Sequence, residues 1–257
     1  VANISPLFSR RYLDGGKDIN HCFSSNNTDN CGFCTRALLI EKAIDEVNPE
    51  ILVDLQNCAG SGPAFAETTM ITPEVLSITS SFCQIIILSG LRLGTLMERK
   101  FDCPMITVKC GGSNDEQSHH IAYQGLKKLT INYQPKNFQQ DRAVDIIYNP
   151  LRLALVPQTS LSYGNHDEGF IGVCIKSNIE QLNYGISRKD QMIGWVDDKG
   201  LNNFELINEH GENVISDYFR CRKNILTCAV DIRIFMATEN KSIALNDCLF
   251  YVVKVRG

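Results

Sequence analysis

Cys31-Gly32-Phe33-Cys34 is the spacing in this chain best suited to chemistry. Two thiols three residues apart at the start of a helix can work together. The dipole and the unsatisfied N–H groups of the first helical turn lower the pKa of the first thiol, and the second can resolve a mixed disulfide. On that reading Cys31 attacks and Cys34 resolves. The same thiols, with His21 and Cys22, also make a set of four N and S donors that could close a tetrahedral zinc site. Metal sites of this kind carry a second C-x-x-C, which is missing. Ordinary thiols or a disulfide in a surface loop account for the residues, so no metal and no cofactor is assigned.

The run Cys31-Gly32-Phe33-Cys34-Thr35-Arg36-Ala37 on a helix resembles the thioredoxin and glutaredoxin families. Cys103-Pro104-Met105-Ile106-Thr107 looks like their cis-proline strand, and Tyr123-Gln124-Gly125 follows in order. The resemblance implies a thiol-disulfide oxidoreductase in which Pro104 shapes the substrate groove. Asn30 stands where those families carry an aromatic residue.

A second resemblance is to caspase-like hydrolases of the CHAT type. Pro49-Glu50-Ile51-Leu52-Val53 leads to Gly60-Ser61-Gly62, and Ile85-Ile86-Ile87-Leu88-Ser89 leads to Gly90-Leu91. In that family the two turns hold a histidine and a nucleophilic cysteine. Here Ser61 and Leu91 occupy those places, so the resemblance implies a relative that kept the fold and lost its His/Cys pair. Asp54 followed by Gly60 and Gly62 also resembles a methyltransferase glycine loop, with Gln56 and Cys58 at the places of the earlier glycines. The densest polar set is Lys109, Cys110, Ser113, Asp115, Glu116, His119 and His120. Gly111-Gly112 ahead of a helix could bind an anion there, but a capped, solvated helix start explains the same residues.

The elements that must position these groups follow from periodicity. Ile51-Leu52-Val53, Cys83 to Leu88 and Met105 to Val108 are short, β-branched and apolar, as strands buried on both faces are. A helix is expected from Thr35 until Pro49 stops it, another from the Thr72-Pro73 cap, and a third from the capping box Ser113 to Glu116. Further helices are expected over 91–99 and 140–148. Beyond about residue 150 short alternating segments appear at Phe170–Ile175, Gln191–Val196, Phe204–Ile207, Ala229–Met236 and Leu249–Val255, a β-rich pattern of hairpins. The expected fold class is α/β: an N-terminal three-layer, mostly parallel sheet over residues 1–155, with a β-rich part over 156–257 that could belong to the same domain. Ligand-facing loops would lie at the carboxyl ends of the strands.

Composition narrows the classes. A net charge of −4 leaves no basic footprint, so nucleic acid is not a favoured partner. No apolar run is long enough to span a membrane. Eleven cysteines are too few for a disulfide scaffold and leave at least one unpaired within the chain. Acceptor patterns for glycosylation at Asn3, Asn26 and Asn240 are about what chance gives in an Asn-rich chain, so no compartment is assigned. Val1 in place of Met suggests a processed or excised chain. Both family patterns fit the backbone rhythm and both lack key residues. The expectation is therefore a noncatalytic interaction or assembly protein with a protein partner. The redox enzyme and the CHAT-type relative are the alternatives.

Overall fold

A computed structural model of the chain describes residues 19–23, 32–58, 62–112, 115–132, 143–165 and 169–255. The N-terminal half is built on five strands: β1 (Leu52–Cys58), β2 (Phe65–Thr68), β3 (Ile85–Leu88), β4 (Met105–Gly112) and β5 (Asp145–Tyr148). Their order across the sheet is β1-β4-β2-β3-β5. Three of the four pairings are parallel, and β2 against β4 is antiparallel. Strand direction therefore reverses between β4 and β2. Three helices accompany the sheet: α1 (Gly32–Val47), α2 (Pro73–Phe82) and α3 (Glu116–Asn132).

The two faces of this sheet differ, and the register shows why. Leu55 pairs with Val108, and Val108 with Ala66; Ile86 pairs with Ile146. These residues share one face and form an apolar cluster with Val75, Ile78 and Phe82 of α2 and Ile121 of α3. The opposite face carries Asp54, Gln56 and Cys58 of β1, Thr107 and Lys109 of β4, Phe65 and Glu67 of β2, then Ile87 and Ile147. Alternation in a strand sends successive side chains to opposite faces, so one apolar and one mixed face arise from the same residues. Only β3 is apolar along its whole length.

The second half forms two more five-stranded sheets. One has the order β11-β6-β15-β14-β9, from β6 (Leu151–Leu155), β9 (Ile186–Ser187), β11 (Phe204–Leu206), β14 (Ile232–Phe235) and β15 (Phe250–Lys254). The other has the order β12-β13-β10-β8-β7, from β7 (Leu161–Gly164), β8 (Val173–Lys176), β10 (Met192–Val196), β12 (Phe219–Arg222) and β13 (Ile225–Cys228). They pack face to face around Leu153, Val173, Ile193, Phe204, Phe219, Ile234 and Phe250, a β-sandwich. The outer face of the first of these sheets covers part of the mixed face below. Phe235, Cys248 and Tyr251 join Cys58, Phe65, Ile87 and Ile147 in one cluster. Helix α1 covers another part of that mixed face, where Cys34 and Ala37 share a cluster with Met105 at the start of β4.

Two expected helices are corrected. Residues 145–148 form β5, because Ile146 and Ile147 find strand partners in Ile86 and Ile87. Over 91–99 only the 3-10 turn Leu96–Glu98 forms. The Glu98 carboxylate accepts from the N–H groups of Leu93, Gly94 and Thr95, and Gly94 has φ 76, so the chain cannot run through as a helix. The Ser113 end of the expected capping box lies outside the described residues. Asp115 Oδ1 accepts from Gln117 N at 2.9 Å at the start of α3. The Thr72 cap of α2 is present, its hydroxyl accepting from Val75 N at 3.2 Å with Pro73 at the first helical position.

Candidate functional site

The site is the polar row on the mixed face of the first sheet, along the middle of β1 and β4. Adjacent strands put Gln56 beside Lys109 and Asp54 beside Thr107; β2 adds Glu67 beside Thr107 and Phe65 beside Lys109. Lys109 is 8% exposed, and its ammonium donates a short hydrogen bond to Gln56 Oε1. Gln56 Nε2 donates to Asp54 Oδ2 at 2.6 Å and to Asn20 Oδ1 at 3.0 Å. Thr107 Oγ1 donates to the same Asp54 oxygen at 3.3 Å. A charged group that loses water must recover its hydrogen bonds from protein, and Lys109, Gln56 and Asp54 do so in a chain that Asn20 and Thr107 extend.

Burial raises the Asp54 pKa above its ordinary value. The Lys109 charge and the hydrogen bonds from Gln56 and Thr107 oppose that shift without cancelling it. Glu67 is raised as well, first by burial and then by the like charges of Asp54 and Asp247, again against Lys109. One ammonium thus lies among two carboxyls that both resist ionisation. Such a trio can hold a proton on one carboxyl while the other is ionised, which is an acid and a base in one place.

The sandwich closes the other side of the row. Tyr184 packs against Phe65 in a tilted contact and against Phe235 edge to face, its ring centroid 5.1 Å from each. Arg152 bonds the backbone carbonyl and the carboxylate of Asp247, and Asp247 adds negative potential at Glu67. Strand direction reverses beside Lys109, between β4 and β2.

Of the residues expected from the sequence, those that the structure describes lie away from this row. Cys31 lies outside the described residues. Cys34 is a buried thiol in α1, within an apolar cluster with Cys22, Phe23 and Leu96. Pro104 immediately precedes β4, and its carbonyl accepts from Leu52 N at 3.0 Å. No peptide bond among the described residues is cis. His21 Nδ1 lies 2.9 Å from the Leu93 carbonyl oxygen. Ser61 lies outside the described residues, and Leu91 packs in the cluster between the first sheet and the sandwich. Burial pushes the Cys58 thiol up to about 11 and those of Cys83, Cys228 and Cys248 up to about 12, the opposite of an activated thiol. Among the described residues no group of three or more His, Cys, Asp or Glu side chains is placed to share a metal ion.

Comparison with known proteins places the fold. The chain superposes on a succinylglutamate desuccinylase from Vibrio parahaemolyticus with a TM-score of 0.58 and 14% identity, covering 98% of this chain and 69% of that one. The shared feature is the fold. A succinylglutamate desuccinylase/aspartoacylase from Rhodobacter sphaeroides gives a TM-score of 0.52 at 11% identity, over 95% of this chain and 69% of that one. Murine aminoacylase 3 gives 0.52 at 13% identity, over 98% and 81%. No family model and no curated protein matches the sequence.

These likenesses correct the sequence reading. The fold is of the desuccinylase and aminoacylase type, neither thioredoxin-like nor caspase-like. The expectation of a noncatalytic assembly protein rested on those two patterns and falls with them, as do the redox and CHAT-type alternatives. The sequence reading also missed Gln56 and Glu67 as partners of Lys109. The signal was present: Asp54, Gln56 and Cys58 alternate with Val53 and Leu55, and Thr107 and Lys109 alternate with Ile106 and Val108. Polar side chains at every second position of a strand mark a second face unlike the apolar one.

Proposed function

We propose that this chain is an acyl-amide hydrolase acting on small anionic N-acyl amino acids at the Asp54, Gln56, Glu67 and Lys109 row. Two considerations support the reading. The fold is shared with enzymes whose names state the removal of an acyl group from an amino acid. The observation that carries it is the buried Lys109 ammonium, bonded to Gln56 and facing two carboxyls of raised pKa.

The chemistry assigned to these groups is a water addition. The ionised carboxyl of the Asp54 and Glu67 pair takes a proton from water as the water oxygen bonds to the acyl carbon. The carbonyl oxygen becomes an oxyanion, and the Lys109 ammonium stabilises it, as donors fixed in a dry site do. The protonated carboxyl then gives its proton to the amide nitrogen, the C–N bond breaks, and a carboxylic acid and a free amine leave. Each carboxyl ends in the other's starting state.

Release of free amino acid from N-succinyl-glutamate and N-acyl-aspartate, measured with the full chain, tests the proposal. Lys109→Met is expected to lower turnover by about 10²-fold or more, the scale of losing one oxyanion donor. Amine release no faster than in buffer for every substrate overturns it.

A further inference from the structure

Tyr184 is the residue that the proposed chemistry leaves unexplained. It comes from the sandwich half, yet it packs against Phe65, the strand neighbour of Lys109. Its hydroxyl is buried and has no hydrogen-bond partner among the described residues. Buried tyrosine hydroxyls ordinarily find one, because an unmet donor loses its water without compensation.

The backbone around it is strained and firmly held. Tyr184 has φ 66, a left-handed value that a residue with a Cβ adopts at a cost. Two sets of contacts keep it there. Tyr184 N donates to Ile234 O at 2.7 Å. The neighbouring Asn183 side chain bonds Ala237 twice, accepting from its N at 2.8 Å and donating to its O at 3.0 Å. The end of β14 thus clamps the turn that carries the ring. On the other side the chain makes room for it: a Cβ on Gly62 would lie 2.8 Å from Tyr184 Cε2. The hydroxyl is within electrostatic reach of Cys58 and Glu67 on the polar face and of Cys83 beyond the end of α2.

We infer that Tyr184 is a ligand-binding residue, whose hydroxyl donates a hydrogen bond to an acceptor oxygen of a small carboxylate-bearing ligand held on the Lys109 row. The inference rests on the hydrolase reading for the identity of the row, but not on turnover. An orphaned donor carried on a ring that packs against Phe65, the strand neighbour of Lys109, suits a carboxylate or carbonyl oxygen and offers nothing to an aliphatic group. The sandwich thereby contributes to recognition as well as to cover.

The test compares Tyr184→Phe with the wild-type full chain, using succinate as probe. Calorimetric titration is expected to show succinate binding weakened about tenfold or more in the variant, a typical cost of losing one hydrogen bond to a charged group. The tyrosine difference absorbance that succinate induces in the wild type should vanish in the variant. Thermal unfolding separates this from a structural role. The phenyl ring keeps the contacts with Phe65 and Phe235 and no internal hydrogen bond is lost, so the melting temperature should stay the same or rise. Equal succinate affinity in both proteins, no binding by the wild type, or a marked drop in melting temperature overturns the inference. If succinate binds through Tyr184 while no N-acyl amino acid is cleaved, the hydrolase reading fails and this one stands. If cleavage proceeds and is indifferent to Tyr184→Phe, the reverse holds.

Discussion

At the scale of single residues, Lys109 organises the polar row. Its long aliphatic stem lies beside Phe65, and its charge meets Gln56, Asp54 and Glu67. The raised pKa values of the two carboxyls have a thermodynamic consequence. A carboxyl that is harder to ionise in the folded state binds more protons there than in the unfolded chain, so its contribution favours folding at low pH. That contribution is lost as pH rises from the ordinary value, 4.5 for Glu67, through the higher folded one. Glu67→Gln removes this dependence. Denaturant unfolding at a series of pH values is expected to show the variant gaining stability relative to wild type as pH rises across that window. A constant difference would mean that Glu67 is not desolvated. Asp54 and Lys109 were individually visible in the sequence, one in a presumed glycine-loop motif and the other in a presumed helix-start cluster. Their partnership was not, because the Lys109 and Gln56 side chains that bond are 53 positions apart.

At the scale of elements, local rules explain most boundaries. Thr72 and Pro73 start α2, Pro49 follows the end of α1, and β-branched runs form β3 and β4. What local rules do not supply is close packing. Gly125 is buried in α3, where a Cβ would lie 2.0 Å from Phe82 Cδ1 of α2. Alanine is the better helix former by about 1 kcal/mol, so propensity alone favours Gly125→Ala. Steric overlap opposes it: forcing a methyl against an aromatic ring costs about 1–3 kcal/mol or more. Chemical denaturation is therefore expected to show a net loss of stability, and a gain would show that α2 and α3 can separate freely. The same limit explains β5. Its four residues read as the end of a helix until Ile86 and Ile87 are beside them, and a four-residue strand has too short a pattern to declare itself.

At the scale of the whole molecule, the sandwich and the first sheet share an interior. Phe235 is fully buried between them, with Tyr184, Phe65 and Tyr251 in the same cluster. Two ion pairs, Arg152 with Asp247 and Arg233 with Asp145 at 2.9 Å, lie along this junction, the second joining β14 to β5. Both are partly solvated and contribute little beside the buried aromatics. Phe235→Ala is expected to destabilise the chain by about 3–5 kcal/mol and to leave one cooperative transition. Appearance of two separated transitions would show that the halves fold independently. Strand β6, at 151–155, bonds to β11 and β15 of the sandwich, so the turn at Asn149 and Pro150 is where the chain passes from one sheet to the other.

The sequence by itself determined the α/β class, the places of strands β1, β3 and β4, the β-rich texture of the second half, and the alternation that gives β1 and β4 one polar face. Those properties are local: period, branching and turn chemistry act over a few residues. Tertiary structure decided which strands became neighbours, and with that which polar side chains met. Asp54, Gln56, Glu67 and Lys109 become a site only because β4 inserts between β1 and β2 in the register that aligns them. Tyr184 joins them only because a turn of the sandwich is pinned over Phe65. Strand order and register are choices among non-local pairings of similar hydrogen-bond energy, settled by burying both faces of the sheet at once, and no short window of sequence contains that choice.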